Sequence, residues 1–175
     1  WTQIGSDIDG EDTDDLFGKS VTLSSDGSIV AIGAPENDGN GHNYGHVRVY
    51  ENVFGNWTQI GSDIEGDSYS GYFGASISLS SDGSKLAVGC LYGMNFYGSA
   101  RIFENISGIW TQIGAEISGD GSSDSFGKTI SLSSDGSIVA IGAPNNDEFG
   151  YEAGQVKAFE NISGVWTQMG SNILG

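Results

Sequence analysis

The chain has 175 residues with 29 Gly, 2 Pro and one Cys, a composition that excludes collagen-like repeats and an internal disulfide. Its 23 acidic and 6 basic residues give a net charge of −17, which argues against nucleic acid or anionic membrane surfaces as partners, because phosphate binding needs clustered Lys and Arg. No apolar run reaches the roughly 18 residues of a membrane-spanning helix, so we expect no membrane insertion.

The first repeat of the sequence predicts four strands and no helix. FGKSVTLS at residues 17–24 alternates apolar and polar side chains, and the SDG that follows supplies the positive φ of a tight hairpin turn. SIVAIGAP at 28–35 is apolar on both faces, as expected for a strand covered from both sides. GHVRVYEN at 45–52 alternates again, and WTQIGSDI at 57–64 completes the unit as a fourth strand.

This layout recurs, which indicates one repeat array rather than several domains. The second and third units contain FGASISLSSDGSKLAVG and FGKTISLSSDGSIVAIGAP, and the second is three residues shorter in the loop before its third strand. The WTQ phrase, however, begins at four places: Trp1, Trp57, Trp110 and Trp166. These copies are 56, 53 and 56 residues apart, and a period of about 50 residues is typical of propeller blades.

We therefore predict an all-β fold, a β-propeller-like array of three four-stranded blades plus one surplus strand. The predicted bounds are 1–8 for the surplus strand and 9–64, 65–117 and 118–175 for the blades. Closed propellers have about four to eight blades, so three blades leave an open arc. A bare terminal face would cost on the order of 10 kcal/mol through about five exposed apolar side chains. These are of the type of Phe17, Val21, Leu23, Ile29 and Val47.

An FG pair opens the first strand of every unit, and GAP closes the second strand of units one and three. The positions are Phe17-Gly18, Phe73-Gly74 and Phe126-Gly127, with GAP at Gly33 and Gly142 and a degenerate GCL at Gly89. With the G-x-V-x-V-Y that follows, this pattern resembles the FG-GAP repeats of integrin-alpha-type β-propellers, of the kind found in large repetitive extracellular proteins. The resemblance implies four-stranded blades around an axis. The family's calcium loop is not carried over, because only SSDGS connects the first two strands here.

The surplus strand has no place in its own chain, since the last unit already ends with a WTQ phrase. Either the chain is a slice of a longer propeller, or copies complete one another by strand addition in a head-to-tail contact. The expected partners are therefore further copies of the chain or further blades of a longer one. We predict that five side chains at the two ends take part in assembly: Trp1, Ile4, Ile8, Trp166 and Ile173.

The run DIDGEDTDD is a candidate cation site. Its six carboxylates belong to Asp7, Asp9, Glu11, Asp12, Asp14 and Asp15. Calcium binds six to eight oxygens, and this loop offers several of them. A solvated acidic turn is the alternative, because the spacing is not that of an EF-hand.

Each third strand carries one base at the same position: Arg48, Arg101 and Lys157. A salt bridge to a neighbouring acid in every blade is the simplest interpretation, and a ligand-binding ring of bases is the alternative. His42 and His46 occur in one repeat only. Since zinc sites need three or four convergent ligands, the sequence predicts no metal site there.

Three N-x-[S/T] sequons begin at Asn56, Asn105 and Asn161, each near the connection between a third and a fourth strand. This shared location predicts N-linked glycans on one exposed rim of the array, and hence a secreted or cell-surface protein. No nucleophile motif or phosphate-cradling loop is present, so we name no catalytic residue and expect no enzyme.

The sequence thus predicts an extracellular structural or adhesive repeat glycoprotein that assembles end to end into a filament or surface array. The alternative is a propeller module that binds a glycan or a protein, with or without calcium. Apart from N-linked glycans and calcium, the sequence indicates no cofactor.

Overall fold

The structure, a computed structural model, describes residues 1–67, 71–92 and 96–175, and it is all-β, as predicted. The first blade contains β1 (Ser20–Leu23), β2 (Ile29–Ala34), β3 (His46–Val53), β4 (Asn56–Gln59) and β5 (Ile64–Glu65). The second contains β6 (Ser76–Leu79), β7 (Lys85–Cys90), β8 (Ser99–Ile106), β9 (Ile109–Gln112) and β10 (Ile117–Ser118). The third contains β11 (Thr129–Leu132), β12 (Ile138–Ala143), β13 (Gln155–Ile162), β14 (Val165–Gln168) and β15 (Ile173–Leu174).

Each blade is an antiparallel meander whose fourth strand is broken into two pieces. In the first blade the strand order is β1-β2-β3-β4, and the short β5 pairs with the beginning of the same β3. The break follows Ile60, whose N–H still donates to Val49, and falls at Gly61, which has a positive φ of 75°. The predicted fourth strand is therefore present in all three blades, with an interruption that the alternation pattern did not show. Residues 93–95, part of the shortened loop of unit two, lie outside the described residues.

Within the described residues, the core consists of two apolar clusters, each between two adjacent blades. The central strands are buried on both faces, as the SIVAIGAP pattern predicts. In the second blade, Leu86 and Val88 face the first blade, whereas Ala87 between them faces the third. Cys90 lies in the first cluster as a small buried packing residue. The middle blade is thus covered on both sides by its neighbours.

The glycines of the FG and GAP motifs meet across the blade interface. A Cβ on Gly33 would collide with the backbone carbonyl of Gly74, and a Cβ on Gly89 would collide with that of Gly127. The Ser20 hydroxyl donates a hydrogen bond to the same Gly74 oxygen at 2.6 Å. The GAP glycine of one repeat is therefore required by the FG glycine of the next.

Residues 1–8 lie against the outer rim of the first blade. The Trp57 indole N–H donates to the carbonyl oxygen of Ile4 at 3.1 Å, just as Trp110 donates to Ile60 at 3.1 Å in the next blade. The segment therefore stands where the outer strand of a preceding blade would stand. No ladder partner for it lies among the described residues. The described part of the chain also contains no helix long and apolar enough to cross a membrane.

Candidate functional site

The outer face of the first blade exposes apolar side chains whose equivalents are buried. Leu23 is 55% exposed, whereas Leu79 and Leu132, at the same position of the second and third blades, are 7% and 9% exposed. Leu79 and Leu132 are covered because each packs in a cluster against the preceding blade. Val21 is also more than half exposed. The first blade thus ends the array with an uncovered apolar surface, which we call the first face.

The opposite face of the third blade, here called the last face, is uncovered in the same way. Ile173 is 63% exposed, whereas Ile64 and Ile117, its equivalents, are 6% and 7% exposed. Val156, its partner in the β13–β15 pair, is exposed as well, although the equivalent Val47 is fully buried. Each internal interface therefore joins the equivalent of the last face on one blade to the equivalent of the first face on the next blade.

Two residues expected on a bare first face lie elsewhere. Val47 is fully buried in the cluster between the first two blades, and Ile29 packs against the same cluster. Strand alternation directs both toward the second blade, so side chains of this type become exposed on the last face, as the equivalent Val156 is, and not on the first face. The first face consists of Val21 and Leu23, with Phe17 half-buried at its edge. The cost of leaving it bare is correspondingly lower than five side chains imply.

The side chains predicted for assembly differ in their accessibility. Trp1 and Ile4 are exposed, Ile8 is half-buried, and Ile173 lies on the last face. Trp166 is half-buried, packs on the second core cluster and donates its indole N–H to the Ile113 carbonyl at 2.9 Å. The assembly role of these residues stays a prediction.

The base on each third strand binds a neighbouring acid, as the salt-bridge interpretation predicts, and the bases of the first two blades each bind two. The Arg48 guanidinium donates to both carboxylate oxygens of Asp63, at 2.7 to 3.0 Å, and to Glu11. Hydrogen bonding to Asp63 raises the pKa of Arg48, and the hydrogen bond from Arg48 lowers the pKa of Glu11. The later blades use the equivalent pairs: Arg101 with Asp67 and Glu116, and Lys157 with Asp120.

The phenylalanine of the FG motif lies beneath the base in the later blades. The Arg101 guanidinium carbon is 4.6 Å from the centroid of the Phe73 ring, and the Lys157 ammonium is 5.9 Å from that of Phe126. Both rings are buried, and a cation over an aromatic face is attracted by its negative face. The basic residues are therefore fixed within each blade, and the half-buried ion pairs contribute to its internal structure.

A buried histidine joins this cluster in the first blade only. His46 is 1% exposed, and neither of its ring nitrogens has a hydrogen-bond partner among the described residues. Its Nδ1 lies 3.9 Å from Glu11 Oε1 and 4.0 Å from Asp63 Oδ2. Burial, and secondarily the charge of Arg48, lower the pKa of His46, so the ring is neutral near pH 7. Ser99 and Gln155 hold the equivalent positions.

The acidic run does not converge on one point. Asp15 is buried and accepts a hydrogen bond from Asn37 at 2.7 Å, while Glu11 joins the Arg48 cluster. The remaining four carboxylates are exposed: Asp7, Asp9, Asp12 and Asp14. Calcium binding by the run as a whole stays a prediction.

The sequons lie on the outer hairpins. Asn105 and Asn161 are near the ends of β8 and β13, and each accepts the N–H of a glycine three residues later, at 2.7 and 2.8 Å. In the first blade this turn contact is made by Asn52, so Asn56 is not equivalent and instead begins β4 as an exposed residue. All three asparagines are near the same rim, and their glycosylation stays a prediction.

Comparison with protein families identifies the first unit. Residues 6–50 match the FG-GAP repeat family. The first unit is an FG-GAP repeat. The second and third units repeat its strand order and its strand register. No curated protein sequence matches the chain.

Solved structures similar to this chain are β-propeller-like. A candidate 6-phosphogluconolactonase from Bacteroides uniformis has a TM-score of 0.61 and 15% identity, covering 88% of this chain and 39% of its own. A protein from Lactobacillus plantarum has a TM-score of 0.56 and 18% identity, covering 87% and 40%. Hydrazine synthase from Kuenenia stuttgartiensis has a TM-score of 0.52 and 13% identity, covering 97% and 40%.

At such identities the likeness shows the fold alone, and the enzyme names belong to those proteins. The chain spans about two fifths of the length of each. The three blades are thus comparable to part of a propeller.

Proposed function

We propose that this chain is a non-enzymatic, extracellular structural or adhesive module that associates end to end, with the last face of one copy packing on the first face of the next. The observation that carries the proposal is the paired exposure of Leu23 and Ile173, whose equivalents are buried in both internal interfaces. The occupant we assign to each face is a second copy of this chain.

The internal interfaces supply the pattern for this contact. Between the second and third blades, Leu132 of the third blade packs in one cluster with Ile117 of the second. In the proposed contact, Leu23 of the second copy would take the role of Leu132, and Ile173 of the first copy would take the role of Ile117. The Thr129 hydroxyl is equivalent to the Ser20 hydroxyl that donates to the FG glycine of the next blade. It would donate to Gly18 of the second copy in the same manner.

Residues 1–8 lie against Trp57 on the outer hairpin of the first blade and carry the same phrase as the outer strand of the third blade. They hold the Ile4 carbonyl against Trp57, the place that an outer strand takes at each internal interface. A docking third blade would bring its own outer strand to that place. Association therefore requires residues 1–8 to move, and their removal is expected to strengthen it.

The extracellular location is supported by the FG-GAP unit, which is typical of extracellular and surface proteins, and by the rim sequons. Attached glycans would point outward from the hairpins, away from the first and last faces. The net charge of −17 keeps free copies soluble, so association would strengthen as salt screens the repulsion.

Sedimentation velocity on two single-face variants tests the proposal. Wild type is expected to associate as its concentration rises, whereas Leu23→Glu and Ile173→Glu are each expected to remain monomeric, because each lacks one of the two faces. An equimolar mixture of the variants still contains one intact pair of faces, so it should form a dimer and nothing larger.

Ile109→Glu is the matched control, since Ile109 is 68% exposed on the outer hairpin of the middle blade, away from both faces. It should associate like wild type. A wild type that stays monomeric at high concentration, or a mixture of the face variants that forms no dimer, would refute end-to-end association.

A glycan-binding role is a second candidate, favoured by an aromatic cavity between the first two blades. The cavity has a volume of about 260 Å³ and is lined in part by Lys19, Glu36, Tyr72 and Tyr92. The two tyrosine rings meet edge to face, with centroids 5.6 Å apart. Apolar walls with a few polar groups are typical of small-ligand sites. A glycan array on wild type and Tyr92→Ala checks it: a hit that the variant loses supports this role, and no hit removes it.

A further inference from the structure

Three possible metal ligands from distant parts of the sequence meet beside β3. The ligand atoms of Glu11, His46 and Asp63 all lie within 4.8 Å of one another. The His46 Nδ1 is 3.9 Å from the Glu11 carboxylate and 4.0 Å from the Asp63 carboxylate. In a tetrahedral zinc site with bonds of about 2.1 Å, ligand atoms are about 3.4 Å apart. To reach that spacing, the His46 nitrogen and the carboxylates need to approach by about half an ångström, and the most widely separated ligand atoms by up to about 1.4 Å.

The state of His46 points to a ligand independently of the carboxylates. The ring is 1% exposed, and within the described residues no hydrogen-bond partner is available to either nitrogen. A buried polar group without a partner is destabilising, and native proteins rarely keep one. A neutral imidazole beside two carboxylates is a typical ligand set for a divalent transition metal, and a metal ion bound at Nδ1 would satisfy one of the two ring nitrogens.

The charge of the surrounding cluster favours a cation even though Arg48 is present. Arg48 binds Asp63 and one oxygen of Glu11, while the other oxygen of Glu11 faces His46 and accepts from Asn37 at 3.0 Å. Two further carboxylates add negative charge, the buried Asp15 and the half-buried Glu65. Four carboxylates thus outnumber one guanidinium.

Glu65 is placed to serve as a fourth ligand. It pairs with His46 in the β3–β5 ladder, which brings the two side chains to the same face of the sheet. Its Oε2 is buried and, among the described residues, lacks a hydrogen-bond partner.

We propose that Glu11, His46 and Asp63, with Glu65 at their side, bind a divalent transition-metal ion, with zinc as the probe. The proposal is specific to the first blade. The second blade keeps the base and both acids, but replaces His46 by Ser99 and Glu65 by Ser118. The third blade keeps the base and one acid, but carries Gln155, Leu174 and Asn172 in place of His46, Glu65 and Asp63. It is independent of end-to-end association, because the cluster lies within one blade.

Isothermal titration of the full chain with zinc chloride at pH 7 tests the site. We expect one zinc ion per chain and a loss of affinity of at least tenfold in His46→Gln. The variant copies the residue that the third blade carries at this position, so it should keep the fold. His42→Gln is the matched control: His42 is exposed beside Asp38, and its replacement should leave zinc binding unchanged.

Nitrogen-15 NMR of the histidine rings gives a readout that needs no variant. Zinc should shift a ring nitrogen of His46 and leave His42 in place. No zinc binding by wild type, equal affinity of His46→Gln and wild type, or a shift confined to His42 would each overturn the proposal.

Discussion

Three single leucine-to-alanine variants, one at the equivalent position of each blade, measure how much a neighbouring blade contributes to the free energy of unfolding. Leu23, Leu79 and Leu132 occupy the same position in β1, β6 and β11, and they differ in whether a preceding blade covers them. The chemical change is identical at all three positions. Any difference between the variants in the loss of unfolding free energy therefore reports how much the covering blade stabilises that leucine.

The expected costs differ severalfold. Leu79 and Leu132 are at least 91% buried between blades, so truncation leaves a cavity there and should cost about 2–5 kcal/mol. Leu23 is 55% exposed, so fewer apolar contacts are lost and water fills the space. Since full burial of a leucine contributes about 1.5–3 kcal/mol, Leu23→Ala should cost about 1 kcal/mol.

Urea unfolding followed by tryptophan fluorescence is the assay, at concentrations where sedimentation shows monomer. Because an array of repeats unfolds as a sum of blade and interface terms, the slopes should be compared as well as the midpoints. If Leu23→Ala destabilised the monomer as much as Leu79→Ala, the first face would not be bare and the reasoning would fail. At associating concentrations the cost of Leu23→Ala should rise.

Further substitutions test other contacts. Gly89→Ala should lower the melting temperature far more than Gly142→Ala, because its new Cβ meets the backbone of the next blade, whereas the other meets a hydroxyl of its own blade; equal shifts would contradict this. The Asp135 carboxyl should titrate by NMR at about 2 instead of 3.8, owing to hydrogen bonds from the serines on either side. The ionised Asp135 carboxylate then stabilises the fold fully above pH 3.8, and this stabilisation is lost as the pH falls toward about 2. An NMR titration that gives the ordinary pKa of 3.8 would refute these hydrogen bonds. Ser107→Ala should remove one glycan by mass spectrometry from secreting cells while sparing the turn contact of Asn105, and an unchanged mass would rule out that site.

Local patterns were sufficient to predict the strands. The SSDGS turns and the central strands that are apolar on both faces predict the first two strands of every blade. Both signals are local, because a tight turn and a doubly buried strand each depend on a few consecutive residues. The break in the fourth strand escaped prediction, since a glycine such as Gly61 is compatible with a strand until its φ is known.

The cluster of Glu11, His46 and Asp63 could not be predicted, because its members are far apart in the sequence. Glu11 precedes His46 by 35 residues and Asp63 follows it by 17. The pairing of β5 with β3 brings Asp63 near His46, and contacts with Arg48 and Asn37 hold Glu11 there. A useful signal was nevertheless available in the aligned repeats. His46 stands two residues before Arg48, the position that carries a base in every blade, and aligned acids flank that base.

Because the GAP glycine of one repeat packs against the FG glycine of the next, each of the two junctions between blades takes one motif from each of the two repeats that it joins. Any unit can consequently succeed any other without new complementary shapes having to arise. Gain or loss of a whole unit by recombination would leave all remaining joints intact, so the arc can change its length in steps of one blade.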